Sequence, residues 1–188
     1  MYQIVVSGAA KGESVEEGKE LAIAVGAAIA QAGHALLTGA TIGLPNYAAE
    51  GYKAAGGTMS LGISPASSKI EHVMKYRLPT VAYDAILYTG LHYIGRDTLL
   101  ITSGDAVVSI GGRLGTLHEF TIAMESDTPI GFLQGAGGIS EEIQTLMSLA
   151  HPLRNADAVL FNDSPDDLVR DLTKLLDVDN AKYRNLYK

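Results

Sequence analysis

The chain contains no cysteine and no tryptophan, only three phenylalanines, and fewer cations than anions: 14 Lys and Arg against 21 Asp and Glu among 188 residues. The missing cysteines exclude a disulfide framework and thiolate metal sites, and they agree with a reducing cytoplasm, the compartment expected for this protein. A formal net charge of −7 makes the chain a poor non-specific partner for nucleic acid, whose phosphates are neutralised by Lys and Arg, and for anionic membrane surfaces. The first residues, MYQIVVSGAA, carry no basic start and only a short apolar run, so no signal peptide is expected. The longest apolar stretch, Leu21–Leu37, holds Gln31 and His34 and falls short of the ~20 residues that a membrane span needs; it reads as a buried helix followed by a strand.

Hydrophobic residues make up 47% of the chain, and a domain of this size buries roughly 70% of its unfolded surface. No low-complexity segment or linker divides it. One domain over residues 1–188 is expected, with 178–188 as a C-terminal tail. Short β-rich runs alternate with longer helical ones. Strands are expected at Tyr2–Ser7, His34–Thr38, Thr58–Ile63, Val81–Leu87, Ala106–Ile110, Ile130–Leu133 and Ala158–Phe161. Helices are expected at Ser14–Gly33, with Ser14 as N-cap and Glu17 completing a capping box, and at Leu44–Ala55, with Pro45 in its first turn. Further helices fall at His92–Thr102, Leu117–Glu125, Glu141–Leu149 and Asp166–Leu176, the last capped by Ser164. Residues 64–79, with two prolines and several charges, read as a surface loop. Strict strand–helix alternation with apolar strands such as AVVSI predicts an α/β fold. It is a single doubly wound, mostly parallel, Rossmann-like sheet with helices on both faces.

In such sheets ligands bind at the carboxyl ends of the strands, which directs attention to the strand-to-helix turns. Two of them share a design: TGATIGL, with Gly39 and Gly43, and IGGRLGT, with Gly111 and Gly115. Glycines at the start of a helix admit an anion to bare N–H groups where the helix dipole is positive. The same glycines also serve a turn that merely needs a positive φ. Neither turn is a P-loop, G-x-x-x-x-G-K-S/T, and no G-x-G-x-x-G occurs; the nearest stretch, GAGGIS at 135–140, ends in Ser. Metal chemistry gains no support either. His118–Glu119 lacks the second His of H-E-x-x-H because Ile122 stands there, and His34, His72, His92 and His151 show no ligand spacing and read mostly as surface or helix-flank residues. No G-x-S-x-G elbow is present.

Glu119 stands three residues after Thr116, so T-x-x-E reads as a capping box. As a carboxylate in the first turn of a helix it is expected to be ionised at neutral pH. Arg96, in HYIGRDTLL, reads by itself as a surface ion-pair residue.

Taken together, TGATIGLPNYAAEG and GRDTLLITSGDAVVSIGGRLGTLHE resemble the Lonely Guy (LOG) family, often labelled lysine-decarboxylase-like. Its wider superfamily includes DNA-processing protein A and molybdenum-cofactor carrier proteins. The family motif is an Arg-Lys pair on a helix followed by P-G-G-x-G-T-x-x-E. Arg96, Gly112, Gly115, Thr116 and Glu119 match it, and the resemblance spans residues 2 to 175. It implies cleavage of the N-glycosidic bond of a nucleoside 5′-monophosphate to free base and ribose 5-phosphate, with no metal and no cofactor. Glu119 and Arg96 would be the catalytic pair, and the loop Gly111, Gly112, Arg113, Leu114, Gly115 and Thr116 would hold the phosphate. Ser7 and Gly8, where the first strand ends, join Gly39, Ala40, Thr41 and Gly43 as further ligand-binding candidates. A homodimer is also implied. The chain departs from the motif at three places: Gly111 replaces Pro, Arg113 replaces the second Gly, and Asp97 replaces Lys. The altered loop favours a second reading, a non-catalytic nucleotide or molybdenum-cofactor binding or carrier protein of the same fold. Arg96 and Glu119 favour the hydrolase.

Overall fold

The computed structural model describes residues 1–150, 156–181 and 183. Seven parallel strands form one sheet: β1 (Gln3–Gly8), β2 (Ala35–Thr38), β3 (Ser60–Ser64), β4 (Ala85–Tyr88), β5 (Ala106–Ile110), β6 (Ile130–Leu133) and β7 (Val159–Asn162). Their order across the sheet is β4-β3-β2-β1-β5-β6-β7. Among the described residues six α-helices accompany them: α1 (Glu13–Gln31), α2 (Leu44–Ala54), α3 (His92–Thr102), α4 (Leu114–Glu125), α5 (Ile143–Leu149) and α6 (Pro165–Ala181). Both faces of the sheet are covered. Ile4, Val6, Leu36, Val108 and Ile110 pack in one apolar cluster with residues of α1, α2 and α6. Val5, Leu37, Ile63, Val107 and Phe132 pack in the other with α3, α4 and α5. Alternation along β1 therefore sends Ile4 and Val6 to one face and Val5 and Ser7 to the other.

α1 and α2 cross at very close range. A Cβ at Gly26 would collide with the Ala48 carbonyl, and one at Gly51 with the Ile23 carbonyl, so two glycines admit one backbone to another. The apolar stretch Leu21–Leu37 divides as expected into the end of α1 and β2, and no helix among the described residues is long and apolar enough to cross a membrane.

Several boundaries differ from the sequence reading. α1 begins at Glu13 behind Gly12 and has no side-chain cap, so Ser14 lies inside the first turn. α6 runs on to Ala181, taking up the start of the expected tail; Lys182 and residues 184–188 lie outside the described residues, as does His151. The 64–79 segment is more than a loop. Glu71–Lys75 form a π-helical turn around His72, which is fully buried, with Nε2 2.9 Å from the Pro79 carbonyl and Nδ1 2.8 Å from Ser64 Oγ. His34 is buried as well, with Nε2 2.9 Å from Thr173 Oγ1. The expectation of surface histidines fails at both places because a ring with two polar partners loses little on burial.

Candidate functional site

The strand order reverses direction between β1 and β5, whose chains leave toward opposite edges of the sheet. A cleft opens at such a switch point because the two following helices lie on opposite faces. Here the cleft is a cavity of about 250 Å³. Ser7 and Gly8 at the end of β1 line it, as do Gly39 and Thr41 after β2 and Arg96 on α3. Arg113 of the β5–α4 turn and Gly115, Thr116 and Glu119 of α4 complete that wall. The remaining candidates sit behind or outside. Gly111 and Gly112 are buried beneath the turn, Leu114 points away with 81% of its surface exposed, Ala40 is buried at φ 50°, and Gly43 precedes α2. Ala9, Ala10, Pro45 and Tyr93 also line the cavity; the strand-end rule applied two residues further along β1 would have found the alanines.

The two glycine turns are not equivalent. At α2 the N–H groups are consumed within the chain: Leu44 donates to the Ala9 carbonyl at 2.9 Å, Asn46 and Tyr47 donate to the Gly43 carbonyl, and Pro45 has no N–H. At α4 the Leu117 N–H donates to the Arg113 carbonyl at 3.0 Å, but the N–H groups of Arg113, Leu114, Gly115 and Thr116 find no acceptor among the described residues. These are the unsatisfied donors of a helix start, and they stand at the positive end of a 12-residue helix.

Glu119 does not fold back as a cap. α4 begins at Leu114 rather than Leu117 and has no side-chain cap, which puts Glu119 in the second turn. Thr116 abuts the loop instead, so closely that a Cβ at Gly112 would collide with its hydroxyl. Facing the sheet, the Glu119 carboxylate accepts a hydrogen bond from the Ser7 hydroxyl, and it is 8% exposed. Burial, reinforced by the negative charge of Asp97, pushes its pKa up to about 7; the Ser7 hydroxyl, Arg96 and His118 pull the other way. The expected first-turn anion is thus corrected: desolvation outweighs the dipole.

Arg96 is buried, not a surface ion-pair residue. Its Nε donates to Asp97 Oδ1 at 3.1 Å and its Nη1 to the Ile63 carbonyl at 3.0 Å. The remaining guanidinium donors take no partner among the described residues. The guanidinium lies against Gly39, where a Cβ would collide with it, and near the Tyr93 ring, 5.9 Å from the centroid. Asp97 in turn binds His118, Oδ2 to Nδ1 at 3.1 Å. The cavity therefore combines a row of free amides and two arginines with two buried carboxyls. It can hold an anion at α4 beside a proton-exchanging carboxyl on the same helix.

The chain is similar to known proteins in sequence and in structure. An uncharacterized protein of Archaeoglobus fulgidus is 30% identical over 134 residues, 71% of this chain and 81% of its own. The molybdenum cofactor carrier protein of Chlamydomonas reinhardtii superposes with a TM-score of 0.75 at 27% identity, over 93% of this chain and 98% of that one. The molybdenum cofactor binding protein of Rippkaea orientalis gives 0.72 at 26% identity, over 93% and 97%. With the model of the SLOG cluster4 family matching residues 1–169, the chain belongs to that family.

Proposed function

We propose that the protein binds and carries a phosphate-bearing small molecule of the molybdenum-cofactor class, with the phosphate on the open amides of α4. The observation that carries this reading is the row of N–H groups from Arg113 to Thr116 that find no acceptor among the described residues, at a helix start whose Arg113, Gly115 and Thr116 line the cavity at the switch point. Such a row at a helix start is suited to a phosphate. Arg113, standing in the loop and lining the cavity, adds a cation where a plain backbone loop has none. Two structural neighbours described by their names as a carrier and a binding protein of that cofactor support the choice of cargo. The fit is to the cargo's phosphate and polar organic part; a chain without cysteine supplies no thiolate to the metal.

A second reading, the nucleoside-monophosphate phosphoribohydrolase, is favoured by one observation: Glu119, poised near neutrality, shares the cavity with Arg96. A carboxyl at that pKa serves as a proton donor or acceptor at physiological pH. It also lines the same cavity as the loop residues Arg113, Gly115 and Thr116. A thermal-shift screen of the phosphorylated pterin cofactor and the common nucleoside monophosphates, followed by product analysis, separates the two. The carrier reading predicts that the cofactor raises the melting temperature and is recovered intact, and that no nucleotide releases ribose 5-phosphate. Release that disappears in Glu119→Gln establishes the hydrolase instead, and no shift with any of these ligands contradicts both.

A further inference from the structure

The stretch GAGGIS at 135–140 makes no phosphate loop of its own, yet it lies directly behind the one at α4. Ser140 is 1% exposed, and its hydroxyl donates to the Gly111 carbonyl at 2.6 Å. The neighbouring Ile139 N–H donates to the Gly112 carbonyl at 2.9 Å. Gly138, at φ 70°, packs so closely that a Cβ there would collide with that same Gly112 oxygen. Gly111 and Gly112 both adopt positive φ, 58° and 94°; such glycine peptides rotate readily, and a carbonyl turned into the cavity would repel an anion.

We infer that the Gly138–Ser140 segment is a positioning brace that turns the Gly111 and Gly112 carbonyls away from the cavity and thereby sets the amides of the α4 loop for an anion. The argument is geometric. In a trans peptide the C=O and the following N–H point in opposite directions. Pinning the carbonyls of Gly111 and Gly112 toward the brace fixes the N–H groups of Gly112 and Arg113 on the side away from it. Neither Ser140 nor Ile139 lines the cavity, so they act through the loop. The brace rests on the reading of the α4 loop as an anion site.

The test is a titration of the full-length protein with inorganic phosphate, followed by amide chemical shifts of Gly112–Thr116. Ser140→Ala removes the hydroxyl donor. Ser140→Thr keeps it. Ser109→Ala serves as the control, since Ser109 is equally buried and its hydroxyl has no partner among the described residues. We expect phosphate affinity to fall roughly five- to tenfold in Ser140→Ala, the effect of one hydrogen bond. Ser140→Thr should bind within about twofold of the wild type, and Ser109→Ala should bind like the wild type. Wild type that binds phosphate while Ser140→Ala binds it equally well overturns the brace alone. A loss of the same size in Ser109→Ala also overturns it, because generic core loosening then explains the effect. Wild type that binds no phosphate overturns the reading of the site and the brace together.

Discussion

Glu119 shows how much a single residue owes to elements remote in sequence. Its neighbours Ser7 and Asp97 come from β1 and α3, so no local pattern around T-x-x-E discloses its protonation. The motif did reveal that a carboxyl stands beside the loop; the burial that neutralises it depends on packing. The raised pKa has a consequence for stability. Between the ordinary value of 4.5 and about 7, the unfolded chain has lost the proton while the folded one keeps it, so raising the pH favours unfolding. The cost is absent below pH 4.5 and complete above pH 7, where it reaches about 3 kcal/mol at about 1.4 per unit. Glu119→Gln, neutral at every pH, removes it. The melting temperature of the variant relative to the wild type should be near zero at pH 4.5 and about 6 °C higher at pH 8, read by calorimetry. A difference that stays constant with pH would mean that Glu119 is an ordinary carboxylate.

At the scale of elements, the strands were legible because their apolar runs are short and bounded by turn residues, and each expected strand and helix exists. The helix starts were not. Ser14 and Thr116 carry the residue pattern of a cap but lie inside their helices, since the same pattern arises where glycine ends a strand and the first amides stay open. The π-helical turn at Glu71–Lys75 was hidden by flanking prolines that mark a loop. Gly26 was legible only as one glycine in an alanine-rich helix; its place at the α1–α2 crossing required the partner. Gly26→Ala should cost about 3 kcal/mol, the upper end of overpacking, because the added Cβ meets the Ala48 backbone oxygen and not a flexible side chain, lowering the melting temperature by about 2–4 °C per kcal/mol. Gly33→Ala, where nothing crowds the Cβ although φ is 71°, is expected to cost only about 1 kcal/mol, typical of an alanine forced to positive φ. Equal losses at the two sites, by thermal melts, would refute the close crossing.

For the whole molecule, the doubly wound sheet decides where a ligand can go. Strand alternation in the sequence was enough to infer a parallel sheet, and the strand-end rule was enough to select the two glycine turns. Which turn stays open was beyond the sequence, because Leu44 donates to Ala9 across two loops that only the folded sheet brings together. The account therefore rests on one anion position, at α4. Crystals soaked in selenate, a sulfate analogue with an anomalous signal, locate it directly. An anomalous peak within ~4 Å of the amide nitrogens of Gly115 and Thr116, matching hydrogen-bond reach plus the selenium–oxygen bond, is the predicted result. A peak at the α2 turn instead, or none in the cavity at all, would contradict it.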